Sequence, residues 1–320
     1  TAQLIDAEQD HHLWSQKWDR NLEDIFEVQD EVSTSIAAQV NPTLQDYERD
    51  RIERSRPDNF NAWETFLKAV HFMNNRKASD HEDPALTEAR RLCEEAIRLD
   101  DSMSVAHSLL GQIALCELLQ FSGKDSNETL DEMLTSSKKA AELDPKNPEA
   151  PVKTGTYHFF KGNFEQARQY CERAVDLNPS YPDAYYTLGH ALAHSGQYAE
   201  SEAPFQQAID LNPLDPNVAE YRSGLYFSKL GVGDYEAALG FIEQCLAQFP
   251  NRGLYRGFKA AVMGYLDKGE EAKQALDDYL ALRPNLKTRE DFKKLFVPNS
   301  ALGDILIEGL IKAGWEPEGG

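Results

Sequence analysis

The sequence predicts an all-α solenoid of helical hairpins, and three observations predict it. Leu143-Asp144-Pro145, Leu177-Asn178-Pro179 and Leu211-Asn212-Pro213 punctuate the chain at equal spacings of 34 residues. Small residues recur in the same frame, with Gly155 and Ala174 in one unit matching Gly189 and Ala208 in the next. Apolar residues between them follow helical intervals. Such a unit holds two helices of about four turns, each followed by a short turn. One hairpin cannot bury its apolar face alone, so neighbours must stack.

The second copy is the more regular, with Tyr185, Leu188, Gly189, Leu192, Ser201, Phe205, Ala208 and Pro213 in order. The first carries Gly155, His158, Ala167, Cys171, Ala174 and Pro179. This order, at this period, resembles the tetratricopeptide repeat (TPR) pattern. The resemblance implies a right-handed superhelix whose inner groove takes a protein or peptide. Gly189 and Ala208 stand where paired helices approach closest, Tyr185, Leu192 and Phe205 fill the space between hairpins, and Gly196 marks the tight turn inside one. Proline ends the second helix because it cannot continue it.

Composition bounds the function. The 320 residues carry 54 acidic against 33 basic side chains, a formal net charge of −21. Such a surface repels phosphate backbones and anionic headgroups, so neither nucleic acid nor membrane is an expected partner. The four cysteines, Cys93, Cys116, Cys171 and Cys245, have no metal-ligand or redox spacing and read as buried thiols in a reducing compartment, here the cytoplasm. Asn127-Glu128-Thr129 matches a glycosylation sequon, which carries no weight outside a secretory context. The chain does not begin with Met and reads as part of a longer protein.

Taken in order, residues 1–40 do not fit the repeat. Thr1–Ala7 and Leu13–Trp18 read as a β-hairpin, with Trp14 and Trp18 on one face. An amphipathic helix follows, with the stripe Leu22, Ile25, Phe26, Val32, Ile36 and Val40. Thr1-Ala2-Gln3-Leu4-Ile5-Asp6-Ala7, His12-Leu13-Trp14, Asp19-Arg20, Leu22 to Phe26 and Gln29-Asp30-Glu31 together resemble the end of the TolB-like domain found before TPR arrays in bacterial signalling proteins. That resemblance implies a truncated TolB-like α/β remnant. It also implies an output domain upstream: a class III adenylate/guanylate cyclase, or a winged-helix DNA-binding domain of the CadC/ToxR-like kind.

Residues 41–57 read as a charged helical linker, and residues 58–284 as about six TPR-like repeats. The first two repeats are expanded, across Asn74–Asp83 and Cys116–Asn127. Asp101 stands where the punctuating proline is expected, and Gly231-Val232-Gly233-Asp234 reads as a lengthened turn in the fifth repeat. Residues 285–320 read as a C-terminal helical cap, with Ser300 as N-cap and Gly314 as stop.

No constellation for catalysis stands out. His190 and His194 share a helix face, but two histidines make half a metal site, and His190-Ala191-Leu192-Ala193-His194 lacks the zinc-protease glutamate. No cofactor and no metal is expected. The TPR resemblance implies groove positions at Phe159, Phe160, Asp183, Tyr186, His190, His194, Tyr221, Leu225 and Lys229. The Lys/Asn/Arg clamp of chaperone-binding TPRs is missing at Val152, Thr156, Tyr186 and His190. The lining is aromatic and neutral, suited to apolar or stacking contact.

The expected function is a non-catalytic, regulatory protein-interaction module of a bacterial signalling protein, in the C-terminal part of an adenylate cyclase-like chain. The alternative is a dimerisation scaffold or sensor region of a winged-helix regulator, with a homodimer motivated by the exposed hairpin edge and Trp14/Trp18.

Overall fold

A computed structural model of the chain describes residues 2–6, 11–17, 32, 59–76, 83–119, 126–213, 218–250, 252–295 and 297–318. Near the N-terminus Ala2–Asp6 (β1) and His11–Gln16 (β2) pair antiparallel, Ala2 opposite Gln16 and Asp6 opposite His11, with an irregular register between Leu4 and Ile5. The return strand thus begins two residues before the position that alternation suggests. The helix expected over Leu22–Val40 and the linker over 41–57 lie outside the described residues, save Val32.

Among the described residues, twelve helices then pair into six hairpins: α1 (Phe60–Asn74) with α2 (Pro84–Leu99), α3 (Ser104–Leu119) with α4 (Ser126–Leu143), α5 (Glu149–Phe160) with α6 (Phe164–Leu177), α7 (Pro182–His194) with α8 (Tyr198–Leu211), α9 (Val218–Val232) with α10 (Tyr235–Gln248), and α11 (Gly253–Tyr265) with α12 (Glu270–Ala281). Each second helix up to α10 packs between its own first helix and the next one. The first helices from α1 to α9 also touch their neighbours in the series directly. That closer spacing curves the array with the first helices on the inside, so they line the concave face.

The sequence punctuation has a local cause. At Asp144 and Asn178 the side-chain Oδ1 accepts the backbone N–H two residues on, at 3.0 and 2.9 Å, closing a turn after the second helix. Asp100 does the same for Ser102 at 3.0 Å. The acidic or amide residue makes the turn, which is why the first hairpin ends cleanly with Asp101 in the proline position. Helix starts are equally local: Asn59 caps α1 through Asn61 and Ala62, and Asp83 caps α2 ahead of Pro84.

Packing explains the small residues. Phe205 is fully buried, and a Cβ at Gly189 or Gly224 would lie 2.7 or 2.1 Å from its ring. The ring therefore slots between α7 and α9, keying one hairpin to the next. In the preceding unit Cys171 takes the equivalent place beside Gly155. Tyr185 packs on Ala208, Val218 and Tyr221, so it too bridges to the next hairpin. Gly196, at φ 92°, supplies the left-handed residue of its turn. The lengthened turn expected at Gly231–Asp234 is absent: α9 continues through Val232, leaving two connecting residues. Gly231 lies inside α9 at a place where a side chain would not fit, since a Cβ there would lie 2.2 Å from the Tyr198 ring. Pro204 likewise sits inside α8 without ending it.

At the N-terminal end Arg90 of α2 ties two hairpins together. Its guanidinium meets Glu117 of α3 at 2.6 and 2.7 Å and Glu132 of α4 at 2.6 and 3.0 Å, and Glu117 is buried. All four thiols are buried and free. Burial pushes Cys93 and Cys245 up to about 12 and Cys171 higher still. A thiol-specific reagent should therefore modify these three slowly in the native chain and rapidly in denaturant, which a colorimetric thiol titration reads directly.

After α12 the chain forms α13 (Arg289–Leu295) and α14 (Ala301–Lys312), and Gly314 at φ 107° ends the latter. Instead of lying only beyond the last hairpin, α14 turns back over the array. It packs along α11 and touches α9 and α7, each the first helix of its hairpin.

Candidate functional site

The concave face gathers side chains from several hairpins because first-helix positions superpose from one unit to the next. Phe159 and Phe160 come from α5, Asp183, Tyr186, His190 and His194 from α7, and Tyr221, Leu225 and Lys229 from α9. Most of them meet. The Tyr186 ring lies 4.5 Å from His190 and 5.3 Å from Tyr221, and His190 lies 5.6 Å from His194. Phe159 stands 4.8 Å from His194, and Tyr221 donates its hydroxyl to Asp183 at 2.9 Å. These are largely edge-on ring contacts, the arrangement that aromatic quadrupoles favour.

Several of the expected lining positions do not belong to an open groove. Leu225 is sealed in the main core cluster. Lys229 is drawn to Glu202 of α8 at 2.7 and 2.8 Å, because a buried stem with a charged end seeks the nearest carboxylate. Phe159, His194 and Tyr221 are buried as well, while Phe160, Asp183, Tyr186 and His190 keep part of their surface open. The spacing of one helix does not reveal Phe205 and Phe227, whose rings lie 5.1 and 5.7 Å from His190 and close the cluster from α8 and α9.

The chain's own C-terminal segment completes the cluster. Ser300 Oγ lies 2.9 Å from His194 Nδ1, and Val297 packs on Phe159, Phe164 and Ala191. No sequence signal pointed to this contact, which joins residues 106 apart.

Burial among rings disfavours the imidazolium. His190 is pushed down to about 3, and His194 well below its ordinary value by burial and by His190 beside it. Nδ1 of His190 is sealed without a hydrogen-bond partner. Both imidazoles are therefore neutral at pH 7. The unfolded chain binds the proton first, so stability is unchanged above the ordinary histidine value near 6.5 and falls between there and about 3. Between pH 7.5 and 5.5 the wild type should lose about 1 kcal/mol more than His190→Phe, measured by urea unfolding at each pH.

Beyond this aromatic core the same face turns polar. Asn147 donates to Ser104 and Ser108 at 2.9 Å each, and Lys153 of α5 donates to Gln112 of α3. Burial raises the Glu149 carboxyl above its ordinary value, with Lys153 opposing the rise and Asp183 adding to it. Among the described residues no group of three or more His, Cys, Asp or Glu could hold a metal ion, and no helix is long and apolar enough to cross a membrane. A separate cleft of about 510 Å³ lies between α10, α11 and α12, where Arg256 and Lys259 face Asp278 and Glu243 at 3.9 and 2.9 Å.

Comparison with known proteins bears on this geometry. Residues 152–216, from within α5 to just beyond α8, match the tetratricopeptide repeat family. The fold is a TPR-like helical solenoid. The solved structure of PilW, described as a widely conserved type IV pilus biogenesis factor, superposes with a TM-score of 0.52 at 16% identity, covering 71% of this chain and 95% of that one. At that identity the likeness speaks to the fold alone. A thermophilic TPR protein of Thermus thermophilus gives a TM-score of 0.49 at 19% identity, over 63% of this chain and 98% of its own. A protein of Rhizobium meliloti (strain 1021) named "Putative adenylate cyclase 3" is 29% identical over 148 residues. The matched stretch is 46% of this chain and 24% of that relative, so the chain spans about a quarter of its length.

Proposed function

We propose that this chain is a non-catalytic protein-interaction module whose concave face receives a protein or peptide. The observation that carries the reading is the ring surface built from three hairpins: Phe160, Tyr186 and His190 are partly open, and Tyr221 fixes Asp183 beside them. Large rigid rings give contact area at small entropic cost, and a placed carboxylate gives direction. Both histidines are neutral, with His194 buried and Nδ1 of His190 sealed, which suits packing better than proton transfer.

The reading extends to biological setting. The module belongs to a bacterial signalling protein in the cytoplasm, following a TolB-like remnant in the C-terminal part of an adenylate cyclase-like chain. The likeness to the Rhizobium meliloti protein supports that setting, as do the buried free thiols. Partner binding would bias the output domain, since a solenoid transmits small rotations between neighbouring units.

Affinity capture from the source cytoplasm with the wild-type chain and with the double substitution Asp183→Ala, Tyr186→Ala tests the reading. The wild type should retain a discrete partner that the folded double variant retains at least about tenfold less. Equal retention by both would remove the concave face from the account.

A further inference from the structure

The C-terminal segment covers part of the concave face, along α11 and against α9 and α7, in a manner unlike an end cap. Leu302, Leu306, Ile307 and Leu310 form one stripe of α14, each at most 1% exposed. The crossing with α11 is close: a Cβ on Gly264 would lie 2.1 Å from the carbonyl oxygen of Gly309, and one on Gly309 would lie 2.5 Å from that of Ala261. Tyr265 donates to the carbonyl of Ile305 at 2.9 Å. Pro298, at the segment's entry, lies against α5–α6, its carbonyl oxygen 2.5 Å from a Cβ built on Gly162. The segment therefore touches hairpins three to six, at the α5–α6 turn through Pro298 and on the first helices α7, α9 and α11 through α14.

Helix α14 also depends on this seat. It has 12 residues, too few for a stable isolated helix in water. Ser300 stands at its N-cap but makes no capping bond, because its hydroxyl faces His194. Asn299 before it holds a left-handed φ of 61°, a bend that redirects the chain into the groove. An apolar stripe at fourfold spacing in a groove of first helices is the helix-in-groove mode of recognition.

We infer that the face formed by α7, α9 and α11 is a receptor for an amphipathic helix, with residues 297–315 as its resident occupant. A partner helix displaces them if it carries leucines at fourfold spacing and a glycine opposite Gly264. This deepens the proposed function and rests on it, naming the kind of partner and what must leave. Tethering gives the resident segment an effective concentration in the millimolar range, so a free helix competes poorly until the resident one is loosened.

Two substitutions in the full chain separate receptor from occupant. Gly309→Leu places its bulk on the occupant, and Gly264→Leu places it on the receptor. A fluorescent synthetic peptide of residues 297–318 is titrated into each variant and followed by anisotropy, with circular dichroism as the control for folding. Hydrogen exchange is read over 301–312. Both variants should lose protection there, and the peptide should bind Gly309→Leu at least about tenfold more tightly than either Gly264→Leu or the wild type. Equal binding to the two variants, or none to a folded Gly309→Leu chain, overturns the inference. If either variant fails to fold, Leu306→Ala, which loosens the occupant without adding bulk at the crossing, takes its place: tighter peptide binding than to the wild type supports displacement, and equal binding overturns it. Capture that depends on Asp183 and Tyr186 while the peptide fails would sink this inference and leave the proposed function standing.

Discussion

Replacing Phe205 by alanine is expected to lower stability by about 3–5 kcal/mol. The ring is fully buried and fits between two helices that carry glycine where it passes. Deleting it leaves a cavity that α7 and α9 cannot close without losing register. Gly224→Ala should cost about 1–3 kcal/mol for the opposite reason, since its methyl would enter the ring. The two changes should not add. In the Phe205→Ala background the methyl of Gly224→Ala occupies part of the vacated space, so the double variant should be more stable than the sum predicts. Urea unfolding followed by circular dichroism measures all four chains. Simple additivity would show that the ring is not the key between these hairpins.

Arg90→Ala is expected to cost about 3–5 kcal/mol at the junction of the first two hairpins, because it strands the buried carboxylate of Glu117. Glu132, more exposed, should contribute less. Since each hairpin contacts mainly its neighbours, the loss should stay local. Hydrogen exchange should quicken across α1 to α4 and remain unchanged across α9 to α12. Arg90→Lys should recover only part of the protection, since one ammonium cannot bridge two carboxylates in bidentate fashion. Uniform acceleration along the whole chain would contradict a nearest-neighbour solenoid.

Much of the fold was legible because it is written in short-range terms. The turn residues Asp144 and Asn178 act within two positions of themselves, and Gly189 and Ala208 recur at the repeat period. Both signals survive in a single sequence. What could not be read depends on distant chain. Gly231 looked like a turn residue, whereas the Tyr198 ring from the preceding hairpin is what requires a glycine there, inside the helix. Lys229 followed the groove frame, but Glu202 on α8 draws it away. The aromatic cluster was half visible: Tyr186, His190 and His194 share one helix, whereas Phe205 and Phe227 join them by tertiary packing. The C-terminal tail showed a helical cap with its start at Ser300 and its stop at Gly314, yet nothing in that pattern says which surface receives it. Its seat is fixed by Gly264 and Gly309 meeting across the fold, and by Ser300 reaching His194.

Partners are expected to meet this chain on the layer of first helices. Photo-crosslinking tests it most directly, with a photoreactive phenylalanine analogue placed at Phe160, at Tyr186, or at Gln169 on the outer side of α6. Positions 160 and 186 should give the same discrete adduct, and position 169 none. An adduct from 169 alone, or equal yields from all three, would contradict it.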